Sequence, residues 1–178
     1  MLTDEQMRER MAKGWRGGKP FTVCGNGTLP TNTQNIRSWL PGVIRRYGVL
    51  DVADVGAGDM KWKDGMTLGD VSYTPYDLVP RSDEVIAFDV TRDVLPPVDL
   101  IICRMVLNHL ADDPDRIKAA IIAFQNSGAR LLAATQFDSR GDRTREFQRV
   151  DLTAYLGDYL EHCQDGNEPN CKLALWEL

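Results

Sequence analysis

The chain has 178 residues, a formal net charge of -5, 43% hydrophobic and 26% charged residues, and four cysteines. That length suits one core-bearing domain of ordinary globular composition. The acidic balance argues against non-specific nucleic-acid binding, which needs a basic face to displace counterions.

No apolar run approaches the ~20 residues that span a bilayer. The opening Met1-Leu2-Thr3-Asp4-Glu5 lacks the basic-then-apolar order of a secretory signal. Cys24, Cys103, Cys163 and Cys171 are irregularly spaced with no C-x-x-C, which reads as reduced thiols. The expected location is the cytoplasm.

Met7 and Met11 stand at helical spacing and predict a short amphipathic helix over 4–13. Residues 14–31 are rich in Gly, Pro, Thr and Asn, so they predict an irregular lead-in with a turn at Gly25-Asn26-Gly27. The domain proper is expected over 32–178, with 1–31 lying over its site. Ile36, Trp39, Leu40, Val43 and Ile44 follow helical periodicity, and Pro41 predicts a kink or a second short helix there. Gly48 stops that segment.

Four strand-like runs follow, at 49–55, 73–79, 85–90 and 98–104. With helical intervals between them they argue for a parallel sheet. Asp113 as cap, Pro114 in the first turn and a stripe of Ile117, Ala120, Ile121 and Phe124 predict a helix over 114–126. A fifth strand is predicted over 130–137 and a last one over 172–177, whereas 151–160 suits helix or strand. Arg140, Arg143, Arg145 and Arg149, interleaved with Asp138, Asp142 and Glu146, read as a solvated loop or an anion-gripping one.

The first strand closes on Asp54-Val55-Gly56-Ala57-Gly58-Asp59. Glycines at 56 and 58 allow a sharp turn and a close ligand approach. A dinucleotide fingerprint, G-x-G-x-x-G, needs a third glycine where Lys61 stands, so that pattern fails. The looser E/D-x-G-x-G is met. Asp77, nineteen residues past Gly58, stands where a carboxylate accepts both ribose hydroxyls of a nucleoside, or else caps a helix starting near Val79. Asp89 closes the third strand and can cap the turn at Thr91.

The turn at 54–62, Tyr76-Asp77-Leu78-Val79-Pro80, Thr33 to Pro41, and Leu95 to Leu110 (with Cys103-Arg104-Met105-Val106-Leu107-Asn108-His109-Leu110) together resemble a group of small bacterial and phage class I S-adenosylmethionine-dependent methyltransferases. That group carries an LP-x-x-DL-x-x-CRD-x-L-x-HL segment. The resemblance covers roughly residues 28–137 and departs from the group at Met105, where an acid is usual, and at Met60. It implies an α/β, Rossmann-like, doubly wound sheet of about seven mostly parallel strands with an antiparallel C-terminal strand. It also implies an S-adenosyl-L-methionine site built from Asp54, Gly56, Ala57, Gly58, Asp77, Leu78, Asp89, Val90, Cys103 and Arg104. Acceptance of an adenine amino group, the other reading of Asp89, is what the resemblance implies.

His109, with a pKa near neutrality, is a candidate general base or a structural histidine. Arg104 contacts the acceptor or forms a loop-fixing salt bridge. No metal site is expected, since His162, Cys163 and Cys171 are too scattered. There is no N/D-P-P-Y/F segment after the fourth strand and no Pro-Cys nucleophile, which disfavours methylation of nucleic-acid bases. The remaining acceptors are a small molecule, a sugar or nucleotide derivative, or a group presented by a partner. A methyltransferase-like scaffold without activity is the alternative.

Overall fold

A computed structural model describes residues 4–14, 21–138, 141–144, 147–166 and 170–178. Nine strands occur among them: β1 (Asp51–Val55), β2 (Ser72–Asp77), β3 (Ile86–Ala87), β4 (Leu100–Cys103), β5 (Leu131–Phe137), β6 (Gly141–Thr144), β7 (Phe147–Arg149), β8 (Glu161–Gln164) and β9 (Cys171–Glu177). Four helices accompany them: α1 (Asp4–Lys13), α2 (Gln34–Tyr47), α3 (Pro114–Asn126) and α4 (Thr153–Leu156).

Seven strands form one sheet in the order β3-β2-β1-β4-β5-β9-β8. The pairs from β3 to β5 are parallel, and β9 runs antiparallel to both β5 and β8. The chain starts at β1, steps outward to β3, then returns to pair β4 beside β1. That reversal opens a crevice at the carboxyl ends of β1 and β4, where sheets of this kind bind ligands.

The period of two along each strand sorts the core into two layers. Val52, Leu100, Ile102, Ala133 and Leu175 face the α2 stripe of Ile36, Leu40, Val43 and Ile44. Ala53, Ile101, Leu132, Ala174 and Trp176 face the α3 stripe of Ile117, Ala120, Ile121 and Phe124. Both helices end as their sequences require. Gly48 closes α2 at φ 61°, returning its N–H to the Ile44 carbonyl. The Asp113 carboxylate caps α3 by accepting the Asp115 and Arg116 amides.

Three expectations are corrected. Pro41 sits inside α2 and starts no second helix, which removes that one of the two alternatives. Its missing amide forfeits one backbone bond, but Ile36, Leu40 and Val43 are fully buried on either side and hold the helix through the gap. Between β1 and β4 there is no α-helix among the described residues, only a single 3-10 turn over Lys61–Lys63 and irregular loops. The polar and Gly/Pro-rich stretches 64–70, 78–84 and 91–97 lack an apolar stripe with which to pack a helix. The arginine segment is a β6–β7 hairpin where it is described; Arg140 and Arg145 lie outside the described residues. The ambiguous stretch 151–160 contains only the single turn of α4.

Candidate active site

A cavity of about 720 Å³ opens at the reversal point. Its floor is the turn after β1. Gly56 and Ala57 both donate their N–H to the Tyr76 carbonyl, at 2.7 and 3.0 Å, which docks the turn on the end of β2. Gly56 and Gly58 have φ of 86° and 61°, so the glycine requirement is real. The space a side chain would fill is already taken. A Cβ on Gly56 would overlap Val106, and one on Gly58 would lie 2.6 Å from Cys24 Sγ. The two glycines therefore admit neighbouring side chains of this chain as well as a sharp turn.

Asp77 ties the floor to the next strand. Its Oδ2 accepts the Gly58 amide at 2.9 Å and its Oδ1 accepts the Val79 amide at 2.8 Å. A carboxylate oxygen accepts two hydrogen bonds, so each still has one acceptor position. No helix begins at Val79, which removes the capping alternative. Burial pushes the Asp77 pKa up, and the two amides oppose that shift.

Asp89 stands just past β3. Its Oδ1 accepts from the Thr91 amide and hydroxyl at 3.1 and 2.7 Å, and Arg8 Nη2 lies 3.5 Å from its Oδ2. The turn-capping role is thus present, while the carboxylate still lines the cavity. Phe88, packed edge-to-face on Tyr76 at 5.3 Å, and Val90 supply apolar wall beside it.

Asp54 is only 1% exposed. Its Oδ2 accepts from Trp62 Nε1 at 3.0 Å and from the Tyr73 hydroxyl. Burial raises its pKa to about 6, against the pull of those two donors. It orients the loop that carries Trp62, whose ring is 3% exposed in the α2-side core and also borders the cavity.

Arg104 is held by two partners from distant parts of the chain. Its Nε and Nη2 grip Asp165 at 2.8 to 3.1 Å, and Nη2 also donates to the Gly27 carbonyl at 2.7 Å. This is the salt bridge that the sequence left open against acceptor contact. His109 lies in the 3-10 turn Leu107–His109, half-buried, with its side chain on the cavity wall.

Of the residues singled out in the sequence, Asp54, Gly56, Ala57, Gly58, Asp77, Leu78, Asp89, Val90, Arg104 and His109 border one cavity. Cys103 does not. It is 1% exposed in the α3-side core, and burial pushes its thiol pKa far up. His162, Cys163 and Cys171 do not form a metal centre; no cluster of three or more metal-ligating side chains occurs among the described residues. His162 is exposed and stacks edge-on against Tyr159, whereas Cys171 is buried.

The cover of the cavity was only partly anticipated. Met7 and Met11 of α1 border it, and α1 is moored by Arg8 Nη1 to the Leu78 carbonyl at 3.1 Å. Arg81 donates to the Met11 and Ala12 carbonyls at the other end of α1. The lead-in is fastened by Asp59, whose Oδ2 accepts the Thr22 hydroxyl at 2.5 Å and the Val23 amide at 3.1 Å. Asp59 is adjacent to the glycine turn, so proximity in sequence could have suggested it. Nothing in the sequence points to Asp165.

No family model and no curated protein matches the sequence. Solved structures do match in fold. A 1,6-didemethyltoxoflavin-N1-methyltransferase of Burkholderia thailandensis, with bound 1,6-didemethyltoxoflavin and S-adenosylhomocysteine, aligns at TM-score 0.68 and 14% identity, over 99% of this chain and 91% of that one. The N-methyltransferase NodS of Bradyrhizobium japonicum WM9, in complex with S-adenosylhomocysteine, aligns at 0.66 and 15%, over 96% and 97%. Magnesium protoporphyrin IX methyltransferase of Synechocystis PCC 6803, with bound S-adenosylmethionine, aligns at 0.59 and 17%, over 99% and 97%. The architecture is therefore the Rossmann-like fold of S-adenosylmethionine-dependent methyltransferases.

Proposed function

We propose that the protein is an S-adenosylmethionine-dependent methyltransferase acting on a small-molecule acceptor, with nucleic acid disfavoured as substrate. The observation that carries this reading is Asp77, whose two oxygens are fixed by the Gly58 and Val79 amides while each keeps an acceptor position over the cavity. Such a carboxylate, at the end of the strand next to a glycine turn, suits a vicinal diol. The cavity volume of about 720 Å³ accommodates a nucleoside cofactor with a small acceptor beside it. The S-adenosyl ligands of the three structural neighbours support the same choice.

When bound, S-adenosylmethionine supplies an activated methyl group on a sulfonium, so the protein chiefly binds, aligns and excludes water. Asp77 holds the ribose hydroxyls. Asp89 receives the exocyclic amine of the base, with Phe88, Val90 and Leu110 against its ring. Gly56, Ala57 and Gly58 bring backbone against the methionine portion. Asp54 acts one step back, fixing Trp62 and Tyr73.

His109 is the one imidazole bordering the cavity among the described residues, and it accepts the proton that an acceptor nucleophile must lose. Arg104, occupied by Asp165 and Gly27, positions rather than reacts. Calorimetric titration with S-adenosylmethionine, S-adenosylhomocysteine and NAD tests the reading. Micromolar binding of the first two and none of the third is expected. Absence of all binding would turn the argument toward a scaffold that keeps the fold without the chemistry.

A further inference from the structure

Residues 27, 104 and 165 come from three separate parts of the chain and meet at one buried point. Asp165 extends the β8–β9 ladder by one step, its amide donating to the Cys171 carbonyl at 2.9 Å. Its side chain is 0% exposed, and that of Arg104 is 5% exposed. Two ionised groups so far from water are retained only with their partners satisfied. Arg104 satisfies Asp165 through Nε and Nη2, then passes one further bond from Nη2 to the Gly27 carbonyl.

The 3-10 turn Asn26–Thr28 contributes no buried residue, so side-chain bonds rather than packing hold it down: Thr22 on Thr28 and Asn32 on Asn26 tie it to the lead-in itself, and Arg104 on Gly27 ties it to the sheet. It forms a wall of the cavity, with Cys24 seated against Gly58. The turn after Asp165 also lies close, since a Cβ on Gly166 would come 3.9 Å from the Asn32 carbonyl.

We propose that Asp165 is a positioning residue that, through Arg104 and the Gly27 carbonyl, clamps residues 24–28 over the cavity and completes its wall. The sheet supplies the rigid end of this chain of bonds, and the lead-in is the end that moves when the bonds are broken. Asn at position 165 keeps the shape but removes the charge that the Arg104 fork needs, so Gly27 loses an anchored donor.

Cys24 reports on the clamp. In the closed arrangement burial and the nearby Asp59 hold its thiol pKa up at about 11. Lifting the segment both exposes the sulfur and returns it toward ordinary reactivity. The full chain without ligand is treated with a maleimide, and labelling at the Cys24 peptide is followed by mass spectrometry for the parent, Asp165→Asn and Ile121→Ala. Ile121, on the buried face of α3, serves as a control for general destabilisation.

Asp165→Asn should label at least about a hundredfold faster than the parent, the scale expected when a buried ion pair loses one partner. Ile121→Ala should label at the parent rate. Equal rates for parent and Asp165→Asn, or equal acceleration by Ile121→Ala, would overturn the proposal. Should Asp165→Asn fail to fold, hydrogen exchange in the parent decides. Protection of the Thr28 and Leu29 amides supports a closed cover, and exchange at free-peptide rates overturns it. Neither readout uses cofactor, so a chain that bound no S-adenosyl compound would still test the clamp.

Discussion

The cavity has two walls of different construction. One is made by the carboxyl ends of β1, β2 and β4, where backbone amides and carbonyls hold the turn: Gly56 and Ala57 on Tyr76, and Phe88 on Asp77. The other is made by α1 and the lead-in, held by side chains reaching carbonyls and carboxylates far away in sequence, such as Arg8 on Leu78, Arg81 on Ala12, Thr22 on Asp59 and Arg104 on Gly27. The first wall is part of the sheet, whereas the second is held by separate side-chain bonds that single substitutions can remove one at a time. The proposed methyltransferase site would gain from that division, with recognition on the strand-end side and access on the other.

The sharpest way to break the strand-end wall is Gly56→Ala. The position has φ 86°, and an added Cβ would collide with Val106. Strain at such a φ together with overpacking costs on the order of 3 kcal/mol. Urea denaturation should show that loss, and S-adenosylhomocysteine binding should vanish. A variant of parental stability would remove the argument that the turn is tightly constrained.

Asp77→Ala comes next. Losing the hydrogen bonds that the ribose hydroxyls donate to this charged acceptor should weaken cofactor binding by roughly 1.5–3 kcal/mol, about 10- to 150-fold. Calorimetry returning the parental affinity would reject the ribose assignment.

Asp54 sharpens the same wall through pH. Burial raises its folded pKa to about 6 from the ordinary 3.8, so the folded chain keeps a proton that the unfolded chain has released. The stabilisation is therefore full at pH below the unfolded value and is lost as pH rises through about 6. Asn at this position still accepts from Trp62 and Tyr73 but does not titrate. Relative to the parent, Asp54→Asn should gain stability on the order of 2 kcal/mol between pH 4 and 7, read from denaturation at both ends. A difference that stays constant with pH would show that this carboxyl does not titrate as its burial implies.

The two walls also differ in how far the sequence foretold them. Strand ends betray themselves locally: an apolar run, two glycines, then an acid nineteen residues on, and these placed Asp54, Gly56, Gly58 and Asp77 on one cavity. Capping chemistry is local too, which is why α3 and its Asp113 cap appear where they were predicted. Cys103 was misplaced because the period of two along β4 turns it into the α3-side core while Arg104, the next residue, reaches the crevice. Helices expected between the early strands are absent because connections between parallel strands do not need one when the loop finds other partners. Asp165 was invisible because its partner is sixty-one residues away in a different strand turn, and no spacing rule links the two.

The cover offers the mildest and most specific perturbation. Thr22→Val removes the hydroxyl that meets Asp59 Oδ2 while keeping the size of the side chain. The Val23 amide still donates to the same carboxylate oxygen, so the anchor is weakened rather than lost. The same hydroxyl accepts the Cys24 amide at 2.9 Å and meets the Thr28 hydroxyl at 3.0 Å, both within the lead-in, so a net loss of at least about 1 kcal/mol is expected. Because the sheet is untouched, that loss should fall on the closing equilibrium of the lead-in rather than on global unfolding. The denaturation midpoint should stay near that of the parent, while the dissociation rate of S-adenosylhomocysteine rises at least about fivefold, as about 1 kcal/mol requires. If the midpoint fell and the dissociation rate did not change, the lead-in would be a structural part of the domain, and the distinction between a rigid wall and a releasable one would fail.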